Sequence, residues 1–472
     1  MNYLVNILTR RFRSARFFCL AFFTHSYTIG LRLKRRKNMI GLRNVVIDGQ
    51  RSRIVFEGKQ IFYICGDEGP LASDIAWTNG KRCQAFPATI DIHDHDRWGE
   101  SAKEDPEHLE VACYEGGVGT IITMPNTIPA YVRADQAEIR LAGFSKSNLT
   151  VLAWGGTTRD NFQERLQMLQ YSQRRTPGFK LAMASTTNPA TLIDDYVSQR
   201  RILEENAVLN ALTLVHAEAE DWINASRAEI QAKIANAELG VEDHCRVRAS
   251  EVEVEGIRRI LQAHYEIRSQ APIHICHLST VGGLNEIIKA KNRGQLVTCE
   301  VCPHYLVFNE SMLRGVNGGF YKMNPSLRPP REQNAMVDAL CNGEIDMVAS
   351  DHAPHKKDEK KQTLLDKCPS GVPGVQTLTL LVYHLMSRGL ITAERYVELT
   401  SANAAKLVGL KKGKLAIGYD GDVVLIDPNE STLFTNQSMK YKCGWTPFHG
   451  MHASGKIRML ILGGKIVKED MR

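Results

Sequence analysis

From residue 88 onward the chain alternates between short apolar runs and longer segments whose apolar residues return with helical spacing. The runs are ATIDIH, GTIITMP, TVLAWGG, GFKLAM, LTLVHAE, PIHICHLS, LVTCEVCPH and IDMVASDH, eight in all. Near-continuous apolar runs of this length suit parallel strands covered on both faces. The segments between them, such as AEIRLAGFSK and SEVEVEGIRRILQAHYEI, place apolar residues three to four apart, as an amphipathic helix does. Eight strand–helix units predict an α/β fold, a (β/α)8 TIM-like barrel with insertions, over residues 88–408.

The flanks follow a different pattern. RNVVIDGQRSRIVFEGKQIFYIC before the barrel has turn residues between β-rich runs, and GKLAIGYDGDVVLIDP and GKIRMLILGGKIVKED near the end look the same. Residues 39–87 and 409–472 therefore predict antiparallel strands that pair into one small β-sandwich built from both chain ends. Residues 1–38 stand apart, because Met39 opens the first clean strand pattern, MIGLRNVVIDGQ.

Charge sharpens that division. The 472 residues carry a formal charge of +7, but nine Arg or Lys and no acid lie within residues 1–37. The remaining chain has 50 basic and 52 acidic residues, a near-neutral body with no nucleic-acid-binding surface. The basic segment reads either as an organellar transit peptide or as an extension that does not fold, and its apolar run is too short to span a bilayer. A hydrophobic content of 43% with 24% charged residues is that of a soluble globular protein. The 11 cysteines are odd in number and scattered through apolar contexts, so no disulfide framework is expected and a reduced, cytoplasmic protein is. Cys299, Cys302 and His304 in CEVCPH resemble half a zinc knuckle, but no second CxxC completes it, and buried strand residues are the expectation.

In a barrel the catalytic groups lie at the C-terminal ends of the strands. There the first run places His93 and His95, the fourth Lys180, the fifth His216, the sixth His277 and the eighth Asp351. Strand alternation puts His93, His95 and Arg97 on one side, and Asp94 and Asp96 on the other. A single His in an apolar run is ordinarily a hydrogen-bonded core residue, and an HxH pair alone says little. A Lys inside GFKLAM and an Asp after IDMVAS are harder to dismiss, since an unpaired buried charge is expensive. Four His, a Lys and an Asp, all at strand ends, point to a metal site.

The order HxH, Lys, His, His, Asp on these runs resembles the amidohydrolase superfamily, and HDHDR, MPNT, HLST, NPSLRPP and SDHAPH resemble its dihydroorotase family in particular. The similarity extends from about Met39 to the C-terminal KGKLAIGYDGDVVLID and GWTPFHG. The resemblance implies two zinc ions per chain. His93, His95 and Asp351 would hold one, His216 and His277 the other, and Lys180, carboxylated by CO₂, would bridge them. It implies reversible cyclisation of N-carbamoyl-L-aspartate to L-dihydroorotate in pyrimidine biosynthesis, with Asp351 moving the proton. Arg97, Asn126 and His355 would bind the substrate carboxylate and Asn324 the ring amide. For Arg97 an ion pair with Asp94, Asp96 or Glu100 is the competing assignment. Asp94 and Asp96 depart from the family, which usually has apolar residues there, and their expected place is behind the ligands or facing solvent. A homodimer and an association with aspartate transcarbamoylase are both open as assemblies. The alternatives are a dihydropyrimidinase, hydantoinase or allantoinase, whose substrates lack the carboxylate, and a non-catalytic dihydroorotase-like subunit, which would have lost ligands.

Overall fold

A computed structural model describes residues 39–471, apart from 172–174, 187 and 235–237. The basic segment 1–38 and its targeting assignment lie outside the described residues.

Both chain ends contribute to one eight-stranded sheet. Its strands are β1 (Met39–Ile47), β2 (Gln50–Glu57), β3 (Gln60–Gly66), β4 (Ile75–Asn79) and β5 (Gln84–Pro87) from the start, and β15 (Val423–Leu433), β16 (His452–Leu462) and β17 (Lys465–Glu469) from the end. They run in the order β17-β16-β15-β5-β1-β2-β3, with β4 also on β1. Two hairpins turn on residue pairs with positive φ, Asp48–Gly49 (48° and 77°) and Gly463–Gly464 (53° and 72°). Only such mirror-image turns match the twist of the flanking strands. The sheet curls so that β3 reaches the segment before β15, with Ile61 N–H donating to Tyr419 O at 2.8 Å and Gly421 N–H to Lys59 O at 2.7 Å. Leu42, Ile54, Phe56, Val423, Met459 and Ile461 from both arms fill the enclosed core. The expectation of antiparallel strands holds except at β1, which pairs in parallel with β4 and β5.

All eight apolar runs form parallel strands. They are β6 (Thr89–Asp94), β7 (Val118–Thr123), β8 and β9 (Thr150–Ala153 and Gly155–Gly156, one run interrupted at Trp154), β10 (Gly178–Ala182), β11 (Leu212–His216), β12 (Ile273–Ile275), β13 (Val297–Val301) and β14 (Met347–Val348). Six of these elements form the sheet β14-β13-β12-β11-β10-β9 and three the sheet β6-β7-β8. A parallel bridge between Asp94 and His352 then connects the end of β6 to the segment after β14. Helices intervene as the spacing predicts; SEVEVEGIRRILQAHYE is the helix Ser250–Glu266. Every residue of β6, β7, β10 and β11 is buried, which explains runs with no polar alternation. No helix among the described residues is long and apolar enough to cross a membrane.

Candidate metal centre

The C-terminal ends of the parallel strands open into a cavity of ≈ 600 Å³ whose wall includes His93, His95, Lys180, His216, His277 and Asp351. His93 and Lys180 lie within strands, His216 ends β11, and His277 and Asp351 stand just beyond β12 and β14. Those last two adopt φ of 36° and 44°, in the left-handed region that side chains with a Cβ rarely occupy. Such strain at a cavity is held by its surroundings and aims the side chain inward. Asp91 supplies part of the hold: its carboxylate accepts from the N–H of His93 at 3.2 Å and of Ser350 at 3.0 Å, joining β6 to the segment that carries Asp351.

The ring nitrogens sort themselves into held and free. His93 Nδ1 meets Glu300 Oε1 at 2.5 Å, while its Nε2 lies 3.4 Å from Asp351 Oδ1. His95 Nδ1 meets Asn126 Oδ1 at 2.7 Å, and its Nε2 lies 3.2 Å from the same Asp351 oxygen. One ligand atom from each of His93, His95 and Asp351 falls within a 4.8 Å cluster, as a metal ion requires. Across the cavity Glu218 takes His216 Nε2 at 2.8 Å, leaving Nδ1 2.9 Å from His277 Nε2. Lys180, 9% exposed, donates from Nζ to Cys276 Sγ at 3.0 Å. A carboxylate on one imidazole nitrogen fixes the tautomer and offers the other nitrogen to a metal. His93 and His216 both show that arrangement, so the donor set fits a metal centre.

Burial lowers His95 to about 4 and moves His216 and His277 in the same direction. Neutral imidazole is the ligating form. For His93 burial is outweighed by Glu300 and Asp351, which hold the ring up at about 10, so a metal ion binding at Nε2 would release the proton there. Asp351, which burial alone would raise, is drawn down to about 2 by His93 and His95. Glu218 likewise falls to about 2, against its burial, under Arg248 and His216.

Arg97, Asn126, Asn324 and His355 line the same cavity. Arg97 is 2% exposed and sits in the loop after β6 at φ 52°, so a turn, and not the strand alternation expected for it, brings it there. Its Nε donates to Pro354 O and its Nη2 faces His355 Nε2, both at 3.0 Å. The ion pairs considered for Arg97 do not form. Asp96 is taken by Arg140 through two bonds of 2.7 Å, and Glu100 by Lys103. Asn324 Oδ1 is buried without a hydrogen-bond partner.

Solvent exposure for Asp94 and Asp96 is corrected: both are buried, at 0% and 4% exposure. Asp96 locks the loop after β6 to the helix Ala134–Ala142 through Arg140, which also donates to Met124 O at 2.7 Å. Asp94 has neither oxygen hydrogen-bonded, and burial with Asp91, Asp96 and Glu104 nearby raises its carboxyl well above the usual range. Cys299 and Cys302 are buried, as expected, in and just after β13. Sequence reasoning missed Glu218 and Glu300. Both stand in apolar runs, LTLVHAE and LVTCEVCPH, where the cost argument applied to Lys180 would have found them.

The Amidohydrolase family model matches residues 85–467. A dihydroorotase from Methanosarcina mazei is 32% identical over 414 residues, covering 86% of this chain and 88% of that protein. One from Elusimicrobium minutum is 30% identical over 428 residues, covering 90% and 94%. The solved L-hydantoinase (dihydropyrimidinase) from Arthrobacter aurescens shares the fold, with a TM-score of 0.83 at 24% identity over 91% of this chain and 96% of that one. Between 86% and 90% of the chain thus aligns with these dihydroorotases, and the family model spans residues 85–467: the chain belongs to the amidohydrolase family and, within it, to the dihydroorotases.

Proposed function

We propose that this chain is a zinc-dependent dihydroorotase that interconverts N-carbamoyl-L-aspartate and L-dihydroorotate. Its parallel strands are read as a (β/α)8 barrel over residues 88–408, supported by the Asp94–His352 bridge between the first of them and the segment that follows the last. Residues 39–87 and 409–472 are read as the β-sandwich. His93, His95 and Asp351 would hold one zinc ion, His216 and His277 a second, with carboxylated Lys180 between them. Carboxylation turns a buried cation into an anionic oxygen ligand, which suits zinc beside imidazole. Zinc held there supplies Lewis acidity, lowering the pKa of water and polarising an amide carbonyl.

The chain's own groups do the rest. Asp351 accepts the proton of the attacking water and delivers it to the leaving ring nitrogen; in the reverse direction it takes the proton from the carbamoyl nitrogen. Asn324 Oδ1, the orphan acceptor, receives the ring N–H. Arg97, His355 and the amide of Asn126 bind the carboxylate.

The observation that carries the choice of substrate is Arg97: a buried guanidinium facing the cavity, with its neighbouring carboxylates committed elsewhere. A planar guanidinium binds a carboxylate bidentately, and uncharged hydantoins or dihydropyrimidines offer it none. The test compares kcat/KM for L-dihydroorotate, dihydrouracil and allantoin on protein supplied with zinc and bicarbonate. Dihydroorotate is expected to be strongly preferred; preference for an uncharged ring would overturn the reading.

A further inference from the structure

Two lysines outside the metal cluster are buried beside the cavity. Lys322 is 7% exposed and Lys360 fully enclosed, and neither pairs with a carboxylate among the described residues. Lys322 follows the turn Gly318–Tyr321, and its Nζ donates to the carbonyl oxygens of Leu365 at 3.0 Å and Cys368 at 2.5 Å. Lys360 ends the short helix Lys357–Lys360, and its Nζ donates to the carbonyls of Lys322 at 2.9 Å and Pro369 at 2.8 Å. An ammonium buried without a counter-ion is costly, and an apolar side chain would fill the space without that penalty.

What the two ammonium groups hold explains their presence. Residues 365–371 contain neither helix nor strand, so their carbonyls lack the partners a regular element would provide. This segment supports the carboxylate side of the cavity. Ser370 O lies 3.0 Å from His355 Nε2, and Gly371 N–H donates to Lys322 O at 2.9 Å. Gly371 packs so closely that a Cβ there would come within 3.2 Å of His355 Cδ2 and 2.6 Å of Ala353 O. His355 in turn faces Arg97 at 3.0 Å. Lys360 therefore connects to Arg97 through Pro369, Ser370 and His355.

We propose that Lys322 and Lys360 are positioning residues: their Nζ donors clamp residues 365–371 so that His355 and Arg97 present a preformed face to a carboxylate-bearing substrate. The inference rests on the substrate reading given above, and two independent measurements separate its failure from that reading's failure. The first is amide hydrogen exchange across residues 365–371 in the full-length zinc protein, wild type against Lys360→Met. Exchange there is expected to accelerate at least about tenfold while β10 and β11 stay protected. The second is steady-state kinetics: KM for L-dihydroorotate is expected to rise about tenfold, with kcat and zinc content close to wild type, as for a lost uniform binding interaction. Lys322→Met, which removes the other clamp, is expected to give the same split and stands in if Lys360→Met does not fold. Wild-type exchange in the segment, an unchanged KM, or parallel losses of kcat and zinc would each overturn the clamp. Loop release in a protein whose wild type does not turn over dihydroorotate would keep the clamp and overturn the substrate reading.

Discussion

Replacing Glu300 by Gln removes one negative charge from the middle of the histidine cluster while keeping the shape of the side chain. In the folded chain this carboxylate faces three groups: His93 Nδ1 at 2.5 Å, His274 Nε2 at 3.2 Å and the N–H of His277 at 3.2 Å. An amide has one acceptor oxygen where the carboxylate has two. Oε1 serves both His93 and His277 and Oε2 faces His274, so Gln keeps the first two partners only by turning its NH₂ toward His274 Nε2, and in either orientation the negative charge is gone. His93 then loses the anion that keeps its proton on Nδ1 and its Nε2 directed at Asp351. Loss of such an outer partner weakens metal binding by about 10–100-fold, or about 1.4–2.8 kcal/mol at about 1.4 kcal/mol per decade. The zinc dissociation constant, measured by chelator competition near neutral pH, is expected to rise by that factor while far-UV circular dichroism stays that of the wild type. A folded variant whose zinc affinity lies within about twofold of wild type would refute the assignment of Glu300 as the group that readies His93 for metal.

Three further outcomes are expected. Lys180→Ala should lose most activity together with part of its zinc if Lys180 is the bridging ligand proposed above; retained turnover would mean that the bridge is not a carboxylated lysine. Asp96→Ala should cost about 3–5 kcal/mol in chemical denaturation, the range for breaking a buried pair by removing one partner, since the side chains of both members are at most 3% exposed. A loss below about 1 kcal/mol would place Asp96 among exposed pairs instead. Asp105 caps the helix Pro106–Gly116, accepting from His108 N–H, and Lys442 and His108 outweigh its burial to bring the carboxyl down to about 2. A carboxyl depressed by folding stabilises the native state above its unfolded pKa, and that contribution is lost as pH falls through the folded value. The stability difference between wild type and Asp105→Ala, about 1 kcal/mol at neutral pH for a lost cap, should therefore shrink as pH falls from about 4 toward about 2; a constant difference would show that the carboxylate's charge is not what caps the helix.

The eight parallel strands and the six candidate ligands were legible without coordinates for the same reason. A run of apolar residues long enough to be buried on both faces makes any His, Lys or Asp within it conspicuous, because burying an unpaired polar group costs free energy. Lys180 and Asp351 were found by that argument. Glu300 and Glu218 meet the same criterion in the same runs. Alternation along a strand correctly separated His93 and His95 from Asp94 and Asp96, since it depends only on local geometry. It failed at Arg97, where the strand has ended and a left-handed turn takes over.

Only the tertiary structure decided who meets whom. Asp96 finds Arg140 44 positions away, Arg97 finds His355 258 away, and Lys360 reaches the carbonyl of Lys322 across 38. Periodicity determines which face of an element a side chain takes. A hydrogen bond must form at about 3 Å, and that distance depends on how strands, turns and loops from remote parts of the chain pack. The sequence by itself therefore determined which residues could ligate a metal and which could select an anion. Packing determined that Asp94 and Asp96 are enclosed and not solvated, that Arg97 forms no ion pair with the carboxylates near it, and that two buried lysines hold the wall beside it.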